Sequence, residues 1–305
     1  MIVIYYYMST DYIQITEKIP IVQFDCPSDA KAVFLNTRLN CVYDLTSIPR
    51  CVEHIQFDDN FNQKIEKNIL PTGLQSLKFG DRFNQSIEKD VLPAELQSIE
   101  FGNMFNQRIE KGVLPIELQS LIFDYEFNQS IEKDVLPVEL KLLKFYGNFN
   151  KPIEKDVLPL TLQIIKFSSK FNQPIEKDVF PAGLESLVFH YEFNQSIEKD
   201  VLPAGLESIH FGYMFNQSLD NIPDKTKLYI CNIPSKMTRN YTFYHHDKSI
   251  IEKIKSEKKI LGEIFTSEIN NRKYYMIDVE ITKPDINKEK IKDLIHQLEK
   301  ELQLS

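Results

Sequence analysis

The sequence predicts a repeat solenoid of 22-residue coils built on one parallel sheet, closed at its C-terminal end by a small α+β cap. Three observations predict it. A Phe-Asn pair recurs at Phe61-Asn62, Phe83-Asn84, Phe105-Asn106, Phe127-Asn128, Phe149-Asn150, Phe171-Asn172, Phe193-Asn194 and Phe215-Asn216, every step being 22 residues without an insertion. The prolines Pro71, Pro93, Pro115, Pro137, Pro159, Pro181 and Pro203 keep the same step. From Ser235 onward the repeat is gone and the composition turns lysine-rich.

A fixed period is the signature of a stacked architecture, and this one lies within the leucine-rich-repeat range of about 20–29 residues. The run Leu74-Gln75-Ser76-Leu77-Lys78-Phe79 reads as a short strand. Side chains alternate along a strand, so Leu77 and Phe79 point one way and Ser76 and Lys78 the other. One coil cannot bury Leu74, Leu77, Phe79, Phe83 and Ile87 by itself. Stacked coils bury them as continuous ladders, each coil rising by about 4.8 Å.

The repeat region is expected over 39–234, with 1–38 as an N-terminal cap carrying a degenerate repeat and 235–305 as the C-terminal cap. Leu39-Asn40 replaces Phe-Asn in the first unit, and Pro27, Val33 and Leu35 still sit in register one step earlier. Met1 to Met8 reads as a buried strand or cap. At the far end Pro223 arrives two residues early. Terminal repeats drift in this way because they close an otherwise open stack.

The asparagine side chain carries both a donor and an acceptor, so it can satisfy turn amides left open between coils. Asn62, Asn84, Asn106, Asn128, Asn150, Asn172, Asn194 and Asn216 are therefore expected to form a structural ladder. Sequons occur at Asn84, Asn128, Asn194, Asn216 and Asn240, and the four on the ladder are discounted as glycan sites. The prolines, lacking an amide donor, are expected to end the polar segment and lead into each strand.

The pattern Leu-Pro-x-x-Leu-x-x-Leu-x-Phe-x-x-x-Phe-Asn-x-x-Ile, read from Leu70 to Ile87, resembles the FNIP repeat, a leucine-rich-repeat-like family. The resemblance covers about 39–220, and more loosely 17–234. It implies a protein-interaction module. Several relatives carry an N-terminal F-box that joins a ubiquitin ligase, so the resemblance also implies a substrate receptor with ubiquitin-ligase subunits as partners. Residues 1–38 are shorter than an F-box of ordinary domain size.

Identical positions build the scaffold, and variable exposed positions are where recognition is written. The Glu66-Lys67 type of pair, repeated through Glu198-Lys199, reads as a solvated face worth little per pair. The outward strand positions differ more. Central coils place Ile122, Leu142, Ile164 and Val188 where flanking coils have serine or charge, and the loops after the strands add Tyr125, Tyr146, Tyr191 and Tyr213. An apolar, tyrosine-rich patch on a solenoid sheet is the expected partner site. The competing arrangement is a C-terminal region folded over that face.

In the C-terminal region Asp247 to Leu261 reads as an amphipathic helix, Ile264 to Ile269 and Tyr274 to Thr282 as strands, and the segment after Pro284 as a last helix, giving an α-β-β-α cap. His245-His246, with Cys231 nearby, reads as a polar loop rather than a metal site. Residues 235–305 carry 14 basic against 12 acidic side chains, and the remainder carries 22 against 32.

The net charge of −8 has the wrong sign for gripping phosphates, and nucleic acid is not an expected partner. No Gly-rich phosphate loop, nucleophile elbow or HExxH motif occurs, and Asp124 with Glu126 makes only a weak dyad. No enzymatic activity and no cofactor or metal are expected, and the competing class is an enzyme, a hydrolase or transferase, housed in the C-terminal region. Cys26, Cys41, Cys51 and Cys231 form no CxxC pair, and no apolar run approaches the roughly 20 residues of a spanning helix. The reading is a cytoplasmic chain without a membrane partner, acting as a non-catalytic scaffold for another protein.

Overall fold

A computed structural model of the protein describes residues 45–230, apart from 213 and 216, together with strands at 3–6, 21–22, 32–35, 42–43, 240–245, 264–269 and 272–280. The strands are β1 (Val3–Tyr6), β2 (Ile21–Val22), β3 (Ala32–Leu35), β4 (Val42–Tyr43), β5 (His54–Gln56), β6 (Ser76–Lys78), β7 (Ser98–Glu100) and β8 (Ser120–Phe123). There follow β9 (Leu142–Phe145), β10 (Ile164–Lys166), β11 (Ser186–Val188), β12 (Ser208–Phe211), β13 (Lys227–Ile230), β14 (Asn240–His245), β15 (Ile264–Ile269) and β16 (Arg272–Glu280).

One 14-stranded sheet runs in the order β1-β3-β5 through β14-β16-β15, and β2 and β4 form a separate parallel pair. From β1 to β13 every pairing in the large sheet is parallel. Ser76 lies opposite Ser98, Ser98 opposite Ser120 and Leu142 opposite Ile164, so the sequence period is the register of the sheet. Ala32 opposite His54 carries that register back into the degenerate first repeat. At the other end Ser208 faces Lys227, a shorter step that follows from the early Pro223.

The strands are shorter than the Leu74–Phe79 run suggests, because the chain joins the ladder through a shared acceptor. Gln75 N–H and Ser76 N–H both donate to the Glu53 carbonyl, at 2.7 and 3.0 Å, and the same fork recurs in the next coil, where Gln97 and Ser98 share the Gln75 carbonyl. Ahead of the fork the proline carbonyl closes a turn, as where Leu74 N–H donates to Pro71 O at 3.2 Å.

The core is a set of columns. Leu74, Leu77, Phe79 and Phe83 are buried with their copies in the neighbouring coils, and Ile87 packs against them partly buried. Two phenylalanine columns stack face to face. Phe101 and Phe105 lie 3.9 Å apart within one coil, and each meets its counterpart in the next, Phe123 at 5.4 Å and Phe127 at 6.1 Å. Each buried ring contributes about 1.5–3 kcal/mol through burial, and a stacked aromatic pair adds about 0.5–1.5 kcal/mol. The coil turns use a left-handed residue at one fixed place: Asn68, Asp90, Asp134, Asp156, Asp178 and Asp200 have φ of 62–65°, and Gly112 has φ of 80°. Asn, Asp and Gly are the residue types that tolerate this conformation.

β14 pairs antiparallel with β13, and β16 and β15 follow antiparallel, so these strands lengthen the sheet at its edge. The strand expected at 264–269 is present, the one expected at 274–282 runs 272–280, and His245, read with His246 as a polar loop, ends the strand Asn240–His245. The helices expected at 247–261 and after Pro284 lie outside the described residues.

Candidate protein-interaction surface

Along the strands from β6 to β12 the second residue is buried and its neighbours on either side face outward, half-buried by the coils above and below. All four expected outward aliphatics take this position, but they do not form one row. Leu142 lies directly opposite Ile164, while Ile122 and Val188 occupy the other outward column, with Lys144 and Lys166 between them. Ile122 is therefore diagonal to Leu142, and Val188 diagonal to Ile164, at roughly 7–8 Å for such a geometry. The face is an apolar pair with an aliphatic at each diagonal corner and two lysines alongside.

On the flanking coils the same columns are polar. Lys78 Nζ bonds Glu100 Oε1 at 2.6 Å, and Ser208 Oγ donates to Ser186 Oγ at 3.1 Å. Beside them Asp124 has its carboxyl pushed above the usual range, first by burial and then by the nearby charges of Asp81 and Glu100. At the C-terminal end of the array His210 stacks on Tyr229, ring centroids 4.2 Å apart. Burial, with Lys166 and His190 nearby, pushes the imidazole down to about 3, and burial lifts the Tyr229 phenol to about 12. This imidazole is neutral at physiological pH.

The loop residues after the strands split into two columns. Tyr125 and Tyr191 share one, Tyr146 belongs to the column before it, and all three are about half exposed, at 53%, 48% and 47%. Tyr125 and Tyr191 both act on the Lys170 ammonium, which bonds Glu192 Oε1 at 2.6 Å. Tyr125 also sits over Gly147, where a Cβ would lie 2.3 Å from its carbonyl and 2.7 Å from its ring. Tyr213 lies outside the described residues.

Tyr146 occupies a place that is glycine elsewhere. A Cβ on Gly80, Gly102 or Gly212 would come within 1.8–2.1 Å of the preceding coil's carbonyl oxygen. Asp124, Tyr146, Ser168 and His190 hold this place in the central coils. Between β8 and β9 the ladder runs one residue further, with Phe123 and Phe145 paired and Tyr146 N–H donating to Phe123 O at 2.9 Å. In the central coils this place thus carries a side chain at the rim of the face.

A few residues beyond this rim in each coil, the asparagines form a hydrogen-bonded column. Asn84 N–H donates to Asn62 Oδ1 at 2.9 Å, and the pattern continues through Asn106, Asn128, Asn150, Asn172 and Asn194. The following glutamine donates to the same oxygen, as Gln107 Nε2 does to Asn84 Oδ1 at 3.0 Å; Lys151 stands where that glutamine would reach Asn128. Asn216 lies outside the described residues. On the polar turn lysines reach the aspartate of the next coil, Lys111 to Asp134 at 2.6 Å, Lys133 to Asp156 at 3.0 Å and Lys155 to Asp178 at 2.8 Å, whereas Lys89 meets Gly112 instead. The left-handed aspartate thus serves both the turn and the cross-coil pair.

Among the described residues no group of three or more His, Cys, Asp or Glu side chains is placed to hold a metal ion. His245 ends β14, and the side chains of His245, His246 and Cys231 lie outside the description. No helix among the described residues is long and apolar enough to cross a membrane.

The FNIP Repeat model matches overlapping segments at 44–82, 61–104, 83–126, 105–147, 127–170, 171–214 and 193–230. The chain belongs to the FNIP repeat family. Among solved structures it is similar to CroV588, a circular leucine-rich-repeat protein, with a TM-score of 0.66 and 39% sequence identity. That match covers 69% of this chain and 32% of the other, so the FNIP chain spans about a third of that protein's length. No curated protein matches it. The array is a leucine-rich-repeat-like repeat scaffold of the kind typical of protein-interaction modules.

Proposed function

We propose that this FNIP repeat protein is a non-catalytic scaffold that binds a partner protein through the outward face of its central coils and the loops beside it. One observation carries the reading. Ile122, Leu142, Ile164 and Val188 stand half-buried at outward positions of adjacent strands, and Tyr125, Tyr146 and Tyr191 stand exposed along the rim. None of these side chains belongs to the buried columns that hold the coils together. Aliphatic and tyrosine side chains at the centre with charge around them match the composition of interface cores. A rigid stack meets a partner with little ordering cost, which suits a receptor surface.

The test is quantitative affinity purification with wild type and a Leu142→Glu, Ile164→Glu variant whose melting curve matches wild type. Loss of a stoichiometric partner in the variant is expected. Ubiquitin-ligase subunits among the lost proteins would specify the scaffold as a substrate receptor. Identical partner sets would move the binding site off the sheet.

A further inference from the structure

The turn that leads into each strand presents a second surface with its own chemistry. In the central coils Leu118, Leu140 and Leu162 donate their amides to Pro115, Pro137 and Pro159 at 3.1–3.2 Å, which closes a four-residue turn. The residue after each proline is the turn's outer corner, and it is aliphatic here: Ile116, Val138 and Leu160 are 62%, 59% and 84% exposed. The flanking coils have Thr72, Ala94, Ala182 and Ala204 at this corner. The large apolar side chains are therefore a local addition that the turn does not need.

The next residue along supplies charge. Glu95, Glu117 and Glu139 are exposed and make no ion pair among the described residues. Some carboxylates of the neighbouring polar turn are neutralised across coils, Glu88 by Lys64 and Glu132 by Arg108. Glu117 and Glu139 thus stand directly beside Ile116 and Val138, Glu95 continues their column one coil earlier beside Ala94, and Thr161 follows Leu160.

We infer that the turns preceding the central strands dock a lysine- or arginine-bearing amphipathic helix of a partner protein, laid along the solenoid axis. The carboxylates select a cationic occupant. Spacing selects its conformation. The columns recur at the coil step of about 4.8 Å, and a helix brings a side chain back to one face about every 5.4 Å. An extended chain does so only every ~6.7 Å. Over two steps the helix slips by about 1 Å and the strand by nearly 4 Å, so only the helix keeps three contacts. A second copy of this chain is a poor occupant. Three side chains cover far less than the ~800 Å² per partner of a stable interface, and two copies would bring their carboxylates together.

The test uses the full chain and a labelled synthetic helix of about 18 residues, with leucine on one face and lysine on both flanks, read by fluorescence anisotropy. Saturable binding is expected, weakening as salt rises. It should fall by about tenfold or more in a Val138→Ser, Leu160→Ser variant and again in Glu117→Gln, Glu139→Gln. These positions lie on the surface, and an unchanged melting curve confirms that the fold is kept. A peptide with glutamate in place of lysine should not bind. Leu142→Glu, Ile164→Glu should leave peptide binding unchanged, which separates this surface from the sheet face. Any of three results would overturn the inference: no binding of the lysine helix, equal binding by the Val138→Ser, Leu160→Ser variant, or equal binding of a proline-interrupted peptide of the same composition. A concentration-dependent dimer in light scattering, abolished by Leu160→Ser, would assign the surface to a second copy instead.

Discussion

Between β8 and β11 the outward strand positions hold Ile122, Leu142, Ile164 and Val188, whereas β6, β7 and β12 hold serine together with Lys78, Glu100 or His210. The same division appears after the strands, where Gly80, Gly102 and Gly212 give way to Asp124, Tyr146, Ser168 and His190 in the central coils. A narrower division lies before the strands, where Ile116, Val138 and Leu160 precede β8, β9 and β10 and Thr or Ala, including Ala182 ahead of β11, holds the place elsewhere. Beneath these positions the two regions are alike, with the same phenylalanine stacks and asparagine column. The interior specifies stacking and is indifferent to what the surface carries. The central coils use that freedom to display apolar groups on a frame that does not depend on them.

The comparison breaks most readily in the interior. Phe149→Ala should cost about 3–5 kcal/mol, since the ring is fully buried between its neighbours in both directions. Tyr146→Ala, three residues away and half exposed, should stay within about 0.5 kcal/mol. Chemical denaturation of the two variants measures the contrast, and equal losses would mean that the central rim is part of the scaffold.

Gly102→Ala comes next, at about 1–3 kcal/mol, because its Cβ would lie 2.1 Å from the Gly80 carbonyl and the coil must shift. A thermal melt checks it. A neutral result would show that the flanking coils can already follow the path of the central ones.

The paired rings at the end of the array sharpen the account with pH. The His210 pKa is lowered from 6.5 to about 3, so on acidification the unfolded chain takes up a proton before the folded one does. Stability contributed by the neutral imidazole is complete above 6.5 and is lost as pH falls towards 3. Wild type should lose about 2 kcal/mol between neutrality and pH 5 through this group, and His210→Phe should flatten that part of the profile in pH-dependent melts.

The smallest expected effect lies within the asparagine column. Asn106 Oδ1 accepts from both Asn128 N–H and Gln129 Nε2, whereas Asn128 Oδ1 accepts from Asn150 N–H and faces Lys151 instead of glutamine. Asn106→Ala should therefore cost more than Asn128→Ala, by about 0.5 kcal/mol. Urea titrations of the two variants side by side resolve the difference.

The stack was legible because the same residue types return at the same interval. Leu77, Phe79 and Phe83 announce the buried face, and their period is the sheet register. The left-handed turn position was also written in the sequence, since Asn68, Asp90, Gly112 and Asp134 share little except tolerance of positive φ. What a period cannot show is which columns adjoin. Glu66 precedes Lys67 in sequence, yet Lys67 reaches Asp90 of the next coil. The two outward columns follow from the 22-residue period, and the parallel pairing sets Ile122 and Val188 diagonally to Leu142 and Ile164, with Lys144 and Lys166 between them. Ile116, Val138 and Leu160 gave no such signal, because a turn has no alternation to tell an exposed aliphatic from the buried leucine two residues on.

The central claim is that recognition resides on the outward face of the central coils, on a frame that remains folded without it. Its most direct measurement is quantitative affinity purification with wild type and the Leu142→Glu, Ile164→Glu variant, run alongside their melting curves. The account predicts coincident melts and loss of a stoichiometric partner from the variant. Coincident melts with an unchanged partner set would contradict it.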